Sequence, residues 1–158
     1  MNITLIGLKG TGKTTISKLL AKRLDKKLIS TDEEILKKLR LSAEKFSRKY
    51  GIERLREAES ITIEGLSDFD ECVFDTNSSI VLRNENIINL KKNGLIVLLT
   101  SDPKTIAQRL KSQAYKSDNL ENLQERYRRS ADYLIDTSNL SPEDVCDLIT
   151  HYIQMELQ

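Results

Sequence analysis

The run Gly7-Leu8-Lys9-Gly10-Thr11-Gly12-Lys13-Thr14 holds the residues of this chain best placed to do chemistry. The spacing Gly-x-x-x-x-Gly-Lys-Thr is one that cradles nucleotide phosphates. Its glycines let successive backbone N–H groups turn inward and form an anion nest. A helix starting at Lys13 aims the positive end of its dipole at the same point. Lys13 is then expected to reach the β- and γ-phosphates, and the Thr14 hydroxyl to ligate Mg²⁺. The expected nucleotide-binding set is Gly7, Lys9, Gly10, Thr11, Gly12, Lys13, Thr14 and Thr15. A glycine-rich turn with a chance lysine shares the spacing but not the context. The apolar stretch Ile3-Thr4-Leu5-Ile6 comes directly before, and the helical pattern Ile16, Leu19, Leu20, Leu24 directly after. An acid of interest is Asp75, which ends the apolar run Cys72-Val73-Phe74. An acid in that position either serves the metal or caps a strand end, and the residues alone leave both open.

These groups need a rigid frame, which the rest of the chain supplies as alternating strand and helix. Strand-like runs cover 2–6, 27–30, 72–75, 95–100 and 133–136. The central ones are apolar on both faces, as buried parallel strands are. Helical patterns cover 13–24, 32–39, 42–50, 52–66 and 84–92. Leu55, Ile61, Ile63 and Leu66 are the expected inner face of the fourth of these. Asp102-Pro103 marks a further helix start, with Ile106 and Leu110 inward, and Ser141-Pro142-Glu143-Asp144 opens the last helix. Strands alternating with helices imply an α/β fold with a parallel sheet covered on both faces, and phosphate at the carboxyl end of the first strand. The stretch 111–122 is polar and aperiodic, the composition of a mobile lid.

A chain of 158 residues is expected to form one domain. Its hydrophobic fraction of 39% is enough for one core, and its net charge of +1 gives no argument for nucleic acid or a membrane surface. No apolar run approaches the ~20 residues needed to span a bilayer. The strand pattern begins at Asn2, so no leader peptide is expected. Two cysteines, Cys72 and Cys146, make neither a disulfide framework nor a metal cluster, in keeping with a cytoplasmic setting. Monomer or weak dimer is the expected state. The single histidine, His151, falls late in the last helix and reads as surface.

Beyond the phosphate loop, six further segments resemble the shikimate kinase family over essentially the whole length. Ser30-Thr31-Asp32-Glu33-Glu34-Ile35 is similar to the family's Asp-Thr-Asp-x-x-Ile. Leu55-Arg56-Glu57-Ala58-Glu59 is similar to Phe-Arg-x-x-Glu. Asn84-Glu85-Asn86 and the strand 95–99 fall in register. The segment from Ala131 to Thr137, followed by Ser141-Pro142-Glu143-Asp144-Val145, resembles the family's closing motifs. The resemblance implies a P-loop NTPase three-layer fold. A five-stranded parallel sheet flanked by helices would be nucleoside-monophosphate-kinase-like, with a short lid at 111–122 and an acceptor-binding helical region at 32–66. It implies ATP with Mg²⁺, and a small-molecule acceptor. Asp32 matches the acid that holds and helps deprotonate the acceptor hydroxyl. Arg56 matches an arginine that grips the acceptor carboxylate, a task suited to a planar guanidinium. Arg109 and Pro142 match the pair that sandwiches adenine. Taken without the resemblance, Asp32 reads as a helix cap, Arg56 as the partner of Glu59 or Glu53, and Arg109 as a solvated charge.

The chain departs from the family mainly on the acceptor side. Ser30 stands where the family has an Asp that supports the metal, and Asp75 is the candidate replacement. Asn77, Ser78 and Ser79 stand where the family has three glycines against the substrate. Their side chains either occupy acceptor space or contact a different acceptor. The segment 111–122 has no arginine, which leaves Lys116 or Lys9 to supply charge there. Leu123 stands where a further gripping arginine is expected, with Arg126, Arg128 and Arg129 nearby. The leading expectation is an ATP-dependent kinase with shikimate as acceptor. A nucleotide-binding regulatory or scaffolding module, and a kinase for another metabolite or nucleotide, remain open at this point.

Overall fold

Side chains along the central strands alternate between two apolar layers, and this alternation sets the architecture. The computed structural model describes residues 1–102, 104 and 120–158. The strands are β1 (Asn2–Ile6), β2 (Lys27–Ser30), β3 (Cys72–Asp75), β4 (Gly94–Thr100) and β5 (Tyr133–Asp136). They form one parallel sheet in the order β2-β3-β1-β4-β5. Among the described residues, seven α-helices flank it. They are α1 (Lys13–Leu24), α2 (Thr31–Leu39), α3 (Ala43–Tyr50), α4 (Ile52–Leu66), α5 (Asn84–Lys91), α6 (Leu120–Ser130) and α7 (Pro142–Glu156). None is long and apolar enough to cross a membrane.

On one face of the sheet, Ile3, Leu5, Val73, Leu95, Val97 and Leu99 pack with Ile16 and Leu20 of α1 and Val145 and Ile149 of α7. On the other, Ile6, Phe74, Ile96 and Leu98 pack with Ile63 and Leu66 of α4, Leu90 of α5 and Leu123 and Tyr127 of α6. Cys72 and Cys146 are free and buried, one in each layer. The register pairs Leu5 with Asp75 and Ser30 with Asp75. Strand ends β1, β2 and β3 therefore open side by side at one edge of the sheet.

The five expected strands are present, with β4 starting one residue earlier, at Gly94. Two elements were not expected. One is the 3-10 turn Ser78–Leu82; the other is α6, whose composition is mostly Glu, Arg and Gln. Leu123 and Tyr127, four residues apart, are the buried anchors of α6, and the Tyr127 hydroxyl donates to the Ser78 carbonyl at 2.6 Å. So sparse a stripe is invisible to periodicity. Ile61, expected to face inward, is 60% exposed. The inner stripe of α4 instead runs Leu55, Glu59, Thr62, Ile63 and Leu66, an apolar row that includes an acid.

Candidate active site

The phosphate loop joins the end of β1 to α1 and is held from below by backbone. Gly7 has φ +144°, and a Cβ there would stand 2.4 Å from the Leu99 carbonyl oxygen of β4. Gly12, at φ +92°, occupies the left-handed position before the first turn of α1. The Thr11 hydroxyl donates to the Leu8 carbonyl at 2.9 Å, and that of Thr137, after β5, lies 3.3 Å from the Thr11 carbonyl. The Lys13 ammonium donates to the carbonyls of Gly7, at 2.6 Å, and Leu8, at 3.1 Å. Burial lowers its pKa to about 8, although Asp75 and Asp32 pull the other way.

Asp75 and Thr14 meet at the mouth of the loop. The Thr14 hydroxyl donates to Asp75 Oδ2 at 2.9 Å. A hydroxyl and a carboxylate oxygen this close form a hard-donor pair of the kind Mg²⁺ takes. Ser30 is turned to another use, because its hydroxyl caps α2 by accepting from the Glu33 N–H. The cap of α2 is thus Ser30 and not Asp32, which leaves the Asp32 side chain at the cleft. Enclosure by the cleft, reinforced by Asp75, holds the Asp32 carboxyl above the usual aspartate range, against the opposing pull of Lys9 and Lys13.

A single cleft of about 960 Å³ runs from the loop across these residues to α4. Lys9, Gly10, Gly12, Lys13, Thr14 and Thr15 line its phosphate end. Asp32, Arg56, Asn77, Ser78 and Ser79 line the other, with Asp75 between. Arg56 donates to Glu59 Oε1 at 2.7 Å. Glu59 is 3% exposed, and burial raises its pKa even though Arg56 and Ser79 oppose the shift. The Ser79 hydroxyl lies 3.0 Å from both Glu59 oxygens, and Asn77 Nδ2 donates to Ser79 Oγ at 2.7 Å. Asn77 closes on Thr31, whose hydroxyl donates to Asn77 Oδ1 at 2.9 Å and accepts the Asn77 N–H at 3.0 Å.

Most residues singled out from the sequence therefore converge on one site. Gly7 and Thr11 lie beneath the loop, in its support. Pro142 stands exposed at the first turn of α7, outside the cleft lining. Arg109, Pro103, Ile106, Leu110 and the segment 111–119, with Tyr115 and Lys116, lie outside the described residues. Leu123 is buried in the core, Arg126 donates to the Leu82 carbonyl, and neither Arg126, Arg128 nor Arg129 lines the cleft. Arg56 is the one arginine lining it among the described residues. Thr31 and Glu59 carry more of the site than their sequence motifs indicated. The signal for Glu59 was present, since an acid three residues after Arg56 and four after Leu55 must fall on the inner face of α4.

The shikimate kinase family model matches residues 9–154. A shikimate kinase of Caldicellulosiruptor saccharolyticus is 35% identical over 153 residues, covering 90% of this chain and 89% of that protein. Among solved structures, shikimate kinase from Acinetobacter baumannii in complex with shikimate superposes with a TM-score of 0.86 at 26% identity, covering 98% of this chain and 93% of that one. Thymidylate kinase from Candida albicans, at 15% identity and a TM-score of 0.62, covers 98% of this chain and 91% of that one and shares the fold.

Proposed function

Because the chain belongs to the shikimate kinase family, we propose that it transfers the γ-phosphoryl group of ATP to a hydroxyl of shikimate. The observation that carries this reading is the single cleft lined by Lys13 at one end and by Asp32 and Arg56 at the other. The proposed roles follow from what each group can do there. Backbone N–H groups of the loop and the Lys13 ammonium, released from the Gly7 and Leu8 carbonyls, bind the β- and γ-phosphates. Arg56 anchors the acceptor carboxylate. Asp32 orients the acceptor hydroxyl and takes its proton as the oxygen attacks phosphorus and ADP departs. A raised pKa makes the Asp32 carboxylate a better proton acceptor than an ordinary aspartate. Thr14 and Asp75 would hold Mg²⁺, which neutralises phosphate charge when bound. Catalysis is then mainly positioning and charge stabilisation.

Coupled ADP release with Mg-ATP, with and without shikimate, tests the reading. Shikimate-dependent release that vanishes in Lys13→Ala is expected. ATP binding without shikimate-dependent release would overturn the acceptor assignment. The metal role has its own test, since Asp75→Asn should raise the Mg²⁺ concentration needed for half-maximal turnover. An unchanged Mg²⁺ dependence would remove Asp75 from the metal site.

A further inference from the structure

Asn77 and Ser79 line the acceptor end of the cleft, yet their polar atoms are bonded to protein. The donors run in one direction. The Ser79 hydroxyl donates to the Glu59 side-chain oxygens, which also accept from Arg56. The Ser79 oxygen then accepts from Asn77 Nδ2, and Asn77 Oδ1 accepts from Thr31. The Thr31 oxygen in turn accepts the Asn77 backbone N–H. Thr31 is fully buried, and the next residue is Asp32. Every member of the chain is satisfied, the condition under which a polar network fixes one geometry.

We propose that Asn77 and Ser79 are positioning residues that fix the Glu59 carboxylate, and through it the Arg56 guanidinium, in register with Asp32 for an acceptor bearing a carboxylate. A chain with glycine at 77 and 79 would have no side-chain amide or hydroxyl with which to build this relay. It keeps the one arginine of the described cleft in place from behind. Without Ser79 the Glu59 carboxylate loses a donor to both oxygens, and Arg56 is left paired to a less constrained acid. The inference rests on the acceptor reading above, and it differs in sign from simple space-filling. Side chains that only obstruct the cleft would make acceptor binding better when trimmed; positioning residues make it worse.

Ser79→Ala separates the two. The expected result is a KM for shikimate raised about tenfold, the scale of one lost hydrogen bond to a charged group. kcat should change by less than about threefold, and KM for ATP should stay put. Ser79→Thr, which keeps the hydroxyl, should restore the value. In the free protein, carbon-detected NMR of the Glu59 side chain should show its carboxyl titrating at higher pH in Ser79→Ala, because a bond favouring the ionised form is gone. An unchanged or lowered KM for shikimate overturns the proposal, as does an unshifted Glu59 titration. If the unmodified protein proves inert toward shikimate while Glu59 still shifts in Ser79→Ala, the acceptor assignment fails and the relay stands.

Discussion

At the scale of single residues, the fold changes the chemistry of Lys13. In the free protein its charge is held in a buried place and satisfied by two carbonyls, and its pKa falls to about 8. A bound phosphate favours the charged form and must raise that value again. Above pH 8 the free lysine is increasingly neutral while the bound one stays charged, so ATP binding takes up protons there and weakens as pH rises. Calorimetry at pH 9 in two buffers of different ionisation heat should show uptake approaching one proton in the unmodified protein and none in Lys13→Met. No uptake in the unmodified protein would mean that its lysine titrates well above this range. The type and place of Lys13, Asp32 and Arg56 were legible from motif alone. The pairing of Glu59 with Ser79 was not, because those residues lie 20 positions apart and meet only when β3 and α4 pack.

At the scale of elements, the turn from β1 into α1 is fixed by contact with its neighbour strand. Gly7→Ala would place a methyl 2.4 Å from the Leu99 carbonyl at a backbone angle that side chains rarely adopt. Strain and overpacking of this kind cost about 3 kcal/mol. Urea unfolding should show a loss of that order; a loss under about 1 kcal/mol would mean that β4 yields readily. Caps were readable in advance where the residue pattern was local. The box at the start of α7 forms as expected, with Ser141 accepting from the Asp144 N–H and the Asp144 carboxylate accepting from the Ser141 N–H. At α2 the residues alone point to Asp32 as the cap, because both Ser30 and Asp32 are capable caps, whereas the resemblance assigns Asp32 to the acceptor. Only the direction in which β2 enters the helix decides between them. Helix α6 escaped for the opposite reason. Its two buried anchors are a weak signal alone and a firm attachment once Tyr127 reaches the Ser78 carbonyl.

For the whole molecule, the cleft is where the strand ends of one sheet meet helices from both of its faces, so ligand and fold are linked. ATP bound at a hundred times its Kd should stabilise the protein by about 2.7 kcal/mol, or about 5–10 °C in Tm for a chain of this size. Thermal unfolding with and without Mg-ATP measures this; an equal shift in Lys13→Ala would place the nucleotide elsewhere. The sequence by itself determined the layered α/β frame, because strand alternation and helical spacing are local properties of the chain. It determined the phosphate loop as well, because eight contiguous residues carry both the turn and the charge. The tertiary structure decided that Ser30 caps α2 while Asp32 faces the cleft, and where the Asn77 and Ser79 side chains go. It also decided that Leu123 serves the core and leaves Arg56 as the one arginine of the described cleft. The places of the Asn77 and Ser79 side chains depend on partners 20 to 46 residues apart, set by β3 packing between β1 and β2.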